Sequence, residues 1–216
     1  NPGDKSHGLA DVIKITSGST PEIAEIVDSL YSTIALSGTY RAPSIKVAEA
    51  AKITENIQRD LNIALVNELA TIFAIMGIDT EDVLKAAETK WNFMSVRPGL
   101  VGGHCISVDP YYLTHIALEK GYSPRLILEG RSINNGMSGY VSRRVVELMV
   151  VRGIHVEKSK VLILGLTFKE DCADIRNSKV FDLIDALAKQ VLEIDVFDPW
   201  VSENPNISHE KFELVG

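Results

Sequence analysis

Residues 45–76 read IKVAEAAKITENIQRDLNIALVNELATIFAIM, a run without proline or glycine. Such a run predicts one continuous helix, roughly 48 Å long at 1.5 Å per residue. From Leu61 to Met76 apolar residues surround the helix almost completely, so this half must be covered on every side. Asn62, Asn67 and Glu68 interrupt the apolar run and leave it short of a transmembrane span. We therefore predict a buried central helix that packs in a subunit interface.

An α/β segment precedes the long helix. Residues 11–16 (DVIKIT) form a short run rich in β-branched residues, which predicts a strand. Thr20 can cap a helix with Pro21 at its first position, and this helix extends to about Leu36. A strand, a tight turn and a helix in this order are typical of the closing portion of an open α/β sheet.

Three further helices follow the long one. Gly77 ends the long helix, and the acidic residues that come directly after it complement the dipole of a new helix start. Pro110 and Pro124 suit the first turns of two further helices. Apolar residues recur with helical periodicity after Pro124. The predicted helices cover Asp79 to about Thr89, Asp109 or Pro110 to Lys120, and Pro124 to about Val151.

A second α/β segment closes the chain. Residues 160–164 (KVLIL) predict a buried parallel strand, residues 177–189 a helix, and residues 192–197 (LEIDVF) a second strand. The loop at 165–176 is not a GxGxxG turn, but it lies at the carboxyl end of the first strand, where open α/β sheets bind ligands. The predicted fold is therefore α/β at both ends with an all-helical centre.

A potential nucleophile lies between the second and third of the central helices. Residues 97–112 read RPGLVGGHCISVDPYY, in which Cys105 follows a glycine-rich turn and Asp109 comes four residues later at a helix start. A thiol near the unpaired N–H groups of a helix start is favoured as thiolate, and the glycines leave room for a substrate. The competing interpretation is a small buried side chain in a tight turn.

Composition limits the classes of function. The chain has 216 residues, of which 45% are hydrophobic, so it can bury a sizeable core. Its formal net charge of −7 argues against a nucleic-acid-binding surface. Two cysteines, Cys105 and Cys172, cannot form a secreted-type disulfide framework, and no amino-terminal signal segment is visible. We therefore expect a cytoplasmic protein with no membrane or nucleic-acid partner.

Three stretches together carry a family resemblance: residues 50–56 (AAKITEN), residues 97–113 (RPGLVGGHCISVDPYYL) and residues 165–178 (GLTFKEDCADIRNS). In order and spacing they resemble the UDP-glucose/GDP-mannose dehydrogenase family over nearly the whole chain. The form GGHCI followed by VDPYYL is similar to the nucleotide-activated N-acetylhexosamine dehydrogenases of bacterial capsule and O-antigen synthesis. It is less like the UDP-glucose enzymes.

The resemblance implies a division into three parts. Residues 1–38 would be the end of a Rossmann-like NAD-binding domain, and residues 39–153 a central helical domain for dimerisation and catalysis. Residues 154–216 would begin a second Rossmann-like domain that binds the UDP-sugar. Family members carry a GxGxxG-bearing domain and a longer carboxy-terminal domain, which do not occur in this sequence. We therefore expect an internal fragment, inactive or nearly so by itself, that forms a homodimer through the long helix.

The reaction that the resemblance implies is oxidation of the C6 alcohol of a UDP-N-acetylhexosamine to a carboxylate with two NAD. Cys105 would attack the intermediate aldehyde to give a thiohemiacetal and then a thioester, which water hydrolyses. Lys52 and Asn56, one helical turn apart, would both point at the reacting oxygen. Asp109 would accept a proton directly or through water.

Binding roles follow from the same resemblance. Lys169 would contact the sugar nucleotide and Arg176 the NAD, both from the carboxy-terminal domain. The residues that would border the sugar nucleotide are Arg97, Gly99, Gly102 and Gly103.

Simpler interpretations of the same residues stay open. By periodicity alone Lys52 and Asn56 form an exposed polar stripe, and Asp109 can be a helix cap. Lys169 and Arg176 can be solvated ends of a loop. A zinc site of four side chains near the thiol matches no common ligand spacing, so we predict no metal. Its candidate ligands are His104, Cys105, Asp109 and His115.

Three other functions compete with a hexosamine dehydrogenase. A helical dimerisation module without chemistry would explain the long helix and the lack of a cofactor fingerprint. A cysteine-dependent acyl-transfer hydrolase would use the same thiol but needs an oriented histidine base, and His104 is merely adjacent in sequence. A UDP-glucose 6-dehydrogenase would share the fold and chemistry but differ in substrate.

Overall fold

The computed structural model of the chain describes residues 7–201 and 210–215. The first six residues of the segment 1–38, and part of the carboxy-terminal segment, lie outside the described residues. The chain separates into two compact units, Asn1–Asn56 and Ile57–Gly216, with the boundary inside the long helix.

The first unit contains one βαβ arrangement. Strand β1 (Lys14–Thr16) pairs in parallel with strand β2 (Thr39–Arg41), and helix α1 (Pro21–Ser32) connects them. The Thr20 side chain accepts a hydrogen bond from the Ile23 N–H, which confirms the predicted cap. This unit is the α/β segment that the sequence predicted ahead of the long helix.

Both predicted bounds in the first unit were too generous. The strand begins at Lys14 because the Asp11 N–H bonds the Gly8 carbonyl and closes a turn before it. The helix ends at Ser32 instead of Leu36, since the Thr33 hydroxyl donates to the Leu30 carbonyl at 2.7 Å. A side-chain hydroxyl that takes a main-chain carbonyl in this way competes with the next helical turn.

Four helices follow in the order that the sequence predicted. Helix α2 has the predicted bounds, and the Asp79 side chain caps helix α3 by accepting from the Asp82 N–H at 3.0 Å. No helix in the described part of the chain is long and apolar enough to cross a bilayer. The helices are α2 (Ile45–Met76), α3 (Thr80–Ala87), α4 (Asp109–Glu119) and α5 (Arg125–Val151).

The second half of α2 is not covered on every side within one chain, and the subunit interface that would cover it stays a prediction. Ile75 is 84% exposed, and Leu65, Ile72 and Met76 are also exposed. Helix α5 packs against one side of α2, where a Cβ added to Gly130 would lie 2.5 Å from Leu61 Cδ2. A larger residue at position 130 would therefore force the Leu61 side chain to move.

A buried polar seam joins α2 to α5. Arg131 Nη1 donates to Asp60 Oδ1 at 2.6 Å, and Asn134 Nδ2 donates to the same oxygen at 2.7 Å. Asn67 Nδ2 then donates to Asn134 Oδ1 at 2.9 Å. All four side chains are buried, and Arg131 is only 2% exposed. Arg131 Nε and Asp60 Oδ2 have no hydrogen-bond partner among the described residues, so each charge depends on the other.

The carboxy-terminal α/β segment is a three-stranded parallel sheet with the order β3-β4-β5. Its apolar core includes Leu166, Ile184, Leu187, Ile194 and Val196. A 3₁₀ turn at Val156–Lys158 leads into the sheet. The elements are β3 (Lys160–Leu164), α6 (Val180–Leu187), β4 (Glu193–Phe197) and β5 (Glu213–Leu214).

Two predictions for this segment need correction. Strand β3 has the predicted bounds but is buried on one face only, because Val161 and Ile163 pack on the core while Leu162 and Leu164 are exposed. Helix α6 begins three residues later than predicted, since Asn177 adopts a left-handed conformation with φ of 55°. A residue in that conformation cannot be part of a right-handed helix.

Asp198 anchors the loop that follows β3. Its buried carboxylate accepts from the N–H groups of Leu166 at 2.7 Å and Thr167 at 3.0 Å through Oδ2, and from Trp200 at 2.9 Å through Oδ1. Burial raises the pKa of Asp198, but the hydrogen bonds from these three backbone groups outweigh it and hold the pKa below its usual value. The ends of β3 and β4 are therefore tied together at the edge where ligands bind in such sheets.

Replacing Arg131 with methionine is expected to lower the free energy of unfolding by about 3–5 kcal/mol, because Asp60 is then a buried charge without its partner. Urea unfolding followed by circular dichroism measures this. The double variant Asp60→Leu with Arg131→Met restores most of the loss. A single variant as stable as the parent would contradict the role given to the seam.

Replacing Asp198 with asparagine is expected to cost about 1.5–3 kcal/mol at pH 7, because Nδ2 cannot accept the two N–H groups that Oδ2 accepts. A depressed pKa in the folded state contributes stability above the unfolded value of about 3.9, and this is lost as the pH falls below it. The stability difference between parent and variant should therefore be constant above about pH 5 and shrink as the pH falls below about 4 in urea titrations. The control, Asp182→Asn, alters an exposed pair with Lys179 and should behave like the parent.

Candidate active site

Cys105 lies on an exposed turn directly ahead of α4. Its carbonyl accepts from the N–H groups of Val108 at 3.1 Å and Asp109 at 2.8 Å, which closes the turn into the helix. The thiol is exposed, whereas Cys172 is buried. The interpretation of Cys105 as a small buried side chain is therefore wrong, and the thiol is accessible to a ligand.

Glycines allow the Cys105 turn to pack against the loop after β3. Gly103 has a φ of 86°, and a Cβ there would lie 2.7 Å from the Phe168 ring. A Cβ on Gly102 would lie 2.5 Å from the Asn177 carbonyl oxygen. Any larger side chain would push the two loops apart, so both glycines have a packing role here.

Hydrogen bonds hold the same two loops together. The Gly103 N–H donates to the Asn177 carbonyl at 3.2 Å, and Asn177 Nδ2 donates back to the Gly103 carbonyl at 3.4 Å. Within the Cys105 turn itself, the Ser107 hydroxyl donates to the same Gly103 carbonyl at 2.6 Å. We call this contact between residues 102–107 and residues 168–177 the loop clasp. It places the turn that carries Cys105 beside the candidate ligand-binding loop.

Gly99 is held by the buried polar seam. Asn67 Nδ2 donates to the Gly99 carbonyl at 3.0 Å, and the Gly99 N–H donates to Asn67 Oδ1 at 2.8 Å. The side-chain amide thus pairs with the backbone of the glycine-rich segment as a neighbouring strand would. Through this pair the α2–α5 packing determines where the segment leading to Cys105 begins.

Arg176 and His104 meet at one carboxylate. Arg176 Nε lies 3.0 Å from Asp174 Oδ1, and Arg176 Nη2 lies 2.7 Å from Oδ2. His104 Nε2 lies 3.3 Å from the same Oδ2. The hydrogen bonds from Arg176 hold the pKa of Asp174 well below its usual range, with a smaller contribution from His104, so this carboxylate is ionised.

Arg97 is committed to two carboxylates beside α3. Its Nε lies 2.8 Å from Glu81 Oε2, and its Nη2 lies 3.1 Å from Glu88 Oε2. Hydrogen bonds from Arg97 and then from Ser95 lower the pKa of Glu88 to about 2. In the structure Arg97 therefore forms ion pairs with Glu81 and Glu88. None of these bonds involves the Cys105 turn.

The remaining candidates have mixed environments. Asp109 is the first residue of α4 behind Val108, whose side chain makes no cap bond, so Asp109 is not a helix cap. Lys169 is half-buried. Lys52 and Asn56 belong to the first unit, where Lys52 is exposed and Asn56 is buried. An exposed polar stripe therefore describes Lys52 but not Asn56.

The zinc alternative finds no support in the described part of the chain. Its four residues do not form a group with ligand atoms close together, and His115 Nε2 lies 3.4 Å from Glu119 Oε1. Three other carboxylates, at β4 and β5, do approach one another. The Lys160 ammonium already pairs with two of them, at 3.1 Å from Glu193 Oε1 and 2.9 Å from Asp195 Oδ2. These carboxylates are Glu193, Asp195 and Glu213.

Sequence reasoning missed the residues that hold the site together. The loop clasp depends on Phe168 and Asn177, and the shared carboxylate is that of Asp174. No sequence pattern indicated that these residues contact the Cys105 turn. Asn67 gave a usable signal, because an amide inside an apolar helix must find a buried partner. Asp198 gave another, since Asp-Pro directly after a strand is typical of a turn.

Comparison with known proteins gives matches over most of the chain. Residues 46–136 match the central domain of the UDP-glucose/GDP-mannose dehydrogenase family, and residues 162–215 match its UDP binding domain. The UDP-N-acetyl-D-glucosamine 6-dehydrogenase of Pseudomonas aeruginosa is 64% identical over 94% of this chain and 48% of the relative. The enzyme of the same name from Salmonella typhi is 60% identical over 93% of this chain and 47% of the relative.

A solved structure has the same fold. The NDP-N-acetyl-D-galactosaminuronic acid dehydrogenase of Methanosarcina mazei superposes with a TM-score of 0.82 at 27% identity, over 93% of this chain and 45% of that one. The chain spans about half the length of the curated relatives that it matches. Two domains of one family thus occur in succession along this sequence, and the chain belongs to the UDP-glucose/GDP-mannose dehydrogenase family.

Proposed function

We propose that the complete protein oxidises the C6 alcohol of a UDP-N-acetylhexosamine to the uronic acid, for the synthesis of a bacterial capsule or O-antigen polysaccharide. The observation that carries this proposal is the exposed Cys105 thiol on a turn whose Gly103 hydrogen-bonds Asn177, in the loop that also carries Lys169 and Arg176. Two relatives, 64% and 60% identical, are named for UDP-N-acetyl-D-glucosamine, which favours that substrate class.

NAD, when bound, accepts a hydride in each of the two oxidations. Between them, the Cys105 sulfur adds to the aldehyde carbon, and the carbonyl oxygen takes up a proton to give a thiohemiacetal. After the second oxidation the carbon is a thioester of Cys105. Water adds to this carbon, the C–S bond breaks, and the thiol and the carboxylate product are released.

The other candidate residues of the chain stabilise charge, accept a proton or bind the substrate in this reaction. Lys52 stabilises negative charge on the reacting oxygen, and Asn56 hydrogen-bonds the same oxygen or a water. Asp109, one turn after Cys105, accepts the proton of the attacking group. Lys169 binds the sugar nucleotide. Arg97, Gly99, Gly102 and Gly103 border it.

Arg176 suits a phosphate-bearing cofactor. Its side chain is 73% exposed, and the guanidinium bonds Asp174 through Nε and Nη2. A guanidinium has five N–H donors, so several remain for a phosphate of NAD. Asp174 restrains the Arg176 guanidinium before any ligand binds. Arg176 would therefore lose less conformational entropy when it binds a phosphate.

We retain the three-part division at residues 1–38, 39–153 and 154–216, with the middle part as the dimerisation domain. The exposed apolar residues of α2 support a homodimer, because a second copy would cover them. This 216-residue segment alone is expected to be inactive or nearly so, because the dinucleotide fingerprint of its family is not in this sequence.

The test of the function is a cofactor assay on the complete protein with UDP-GlcNAc, UDP-GalNAc, UDP-ManNAc and UDP-glucose. Formation of two NADH for each hexosamine, with slower turnover of UDP-glucose, is the expected result. Preference for UDP-glucose would make the protein a UDP-glucose 6-dehydrogenase. No NADH with any sugar would favour a dimerisation module without chemistry, and NADH from the 216-residue segment would overturn its expected inactivity.

Replacing Cys105 with serine in the complete protein should lower NADH formation at least roughly 10³-fold, because no thioester can form. The matched control is Cys172→Ala, which removes the buried thiol and should keep most of the activity. Iodoacetamide should label Cys105 before Cys172, and UDP-GlcNAc should slow the labelling. Full turnover by the serine variant would exclude covalent catalysis through this residue.

Replacing Ile75 with glutamate should shift the protein from dimer to monomer, because a charge would be buried in the apolar contact between two α2 helices. Light scattering after gel filtration measures the mass. Leu126→Glu is the control, since Leu126 is also apolar and largely exposed but lies on α5. A dimer that persists in the Ile75 variant and dissociates in the control would place the interface elsewhere.

A further inference from the structure

We propose that His104 is a positioning residue, which couples the Cys105 turn to the guanidinium of Arg176 through the shared carboxylate of Asp174. The proposal deepens the proposed function and rests on it for its kinetic consequence. Its structural consequence, the coupling between two loops, can be measured without any turnover.

The direction of the hydrogen bond follows from the carboxylate. Asp174 is ionised, because Arg176 donates to both of its oxygens. An ionised carboxylate only accepts, so at 3.3 Å His104 Nε2 carries the proton and donates it to Oδ2. Two carboxylate oxygens offer about four lone-pair sites. The Arg176 backbone N–H and Nε donate to Oδ1 and Nη2 donates to Oδ2, which leaves a site on Oδ2 for His104.

The imidazole is held from a second side by Phe168. The two rings meet edge to face, with centroids 6.0 Å apart and an interplanar angle of 89°. The Phe168 ring also covers Gly103. The backbone N–H of Phe168 donates to the Asp174 carbonyl at 3.1 Å. His104 therefore touches both ends of the 168–174 segment, and its position depends on that segment.

The position of His104 matters because of its two neighbours. Cys105 is the next residue, so a shift in the His104 backbone moves the thiol with it. On the other side, Arg176 is exposed, and Asp174 supplies the contacts that restrain its guanidinium. Without the imidazole, Asp174 loses one donor and the two loops lose a side-chain contact. The turn and the guanidinium should then both become more mobile.

Four variants of the complete protein separate the hydrogen bond from other effects. His104→Ala removes both contacts, and His104→Phe keeps a ring against Phe168 without a donor. His104→Gln restores an amide N–H at a reach similar to that of Nε2. The control is His115→Ala, which removes an exposed histidine paired with Glu119 on its own helix.

The first measurement is hydrogen–deuterium exchange, read in peptides that cover residues 99–106 and 168–178. The alanine and phenylalanine variants should exchange roughly three- to tenfold faster in both peptides, as loss of one hydrogen bond implies. The glutamine variant and the His115 control should exchange like the parent. Unchanged exchange at 168–178 in the alanine variant, or parent-like exchange in the phenylalanine variant, would overturn the proposal.

The second measurement is steady-state kinetics with UDP-GlcNAc. The KM for NAD should rise roughly three- to tenfold in the alanine and phenylalanine variants and return toward the parent value in the glutamine variant. A lower kcat with an unchanged KM for NAD would overturn the link to Arg176. If the parent protein forms no NADH with any UDP-hexosamine, the proposed function fails, and the exchange experiment alone decides whether His104 couples the loops.

Discussion

The packing of α2 on α5 through buried charges and amides is the constraint on which the rest of the second unit depends. Asp60 and Arg131 are both shielded from water, and each would be a costly isolated charge without the other. Asn134 joins them to Asn67, and Asn67 pairs with the backbone of Gly99. A helix–helix contact is thereby extended, without a break, to the segment that leads to the thiol.

From Gly99 onward, small residues rather than large ones determine the geometry of the site. Gly102 and Gly103 let the backbone of the Cys105 turn lie directly against Asn177 and Phe168. Asp198 holds the start of the partner loop by its backbone, so the clasp joins two segments that are each anchored elsewhere. The covalent reaction that we propose for Cys105 needs a well-placed thiol, and these contacts anchor the turn that carries it.

Local signals predicted the elements well and their ends less well. The bounds of α2 and β3 were correct, because proline and glycine mark both ends of α2 and a dense apolar run marks β3. The end of α1 was missed because the Thr33 hydroxyl competes for a helix carbonyl. The start of α6 was missed because Asn177 takes a left-handed conformation that its contact with Gly103 stabilises. Side-chain competition and tertiary contacts decided both ends.

The sequence by itself determined the order of the segments, the long helix, the family resemblance and the choice of Cys105, because periodicity, turn residues and motif spacing are properties of the chain. Only the tertiary structure decided that Arg97 pairs with Glu81 and Glu88, and that His104 and Arg176 share Asp174. His104 and Asp174 are 70 residues apart along the chain. Whether such groups meet depends on how helices and sheet pack, and no local pattern encodes that.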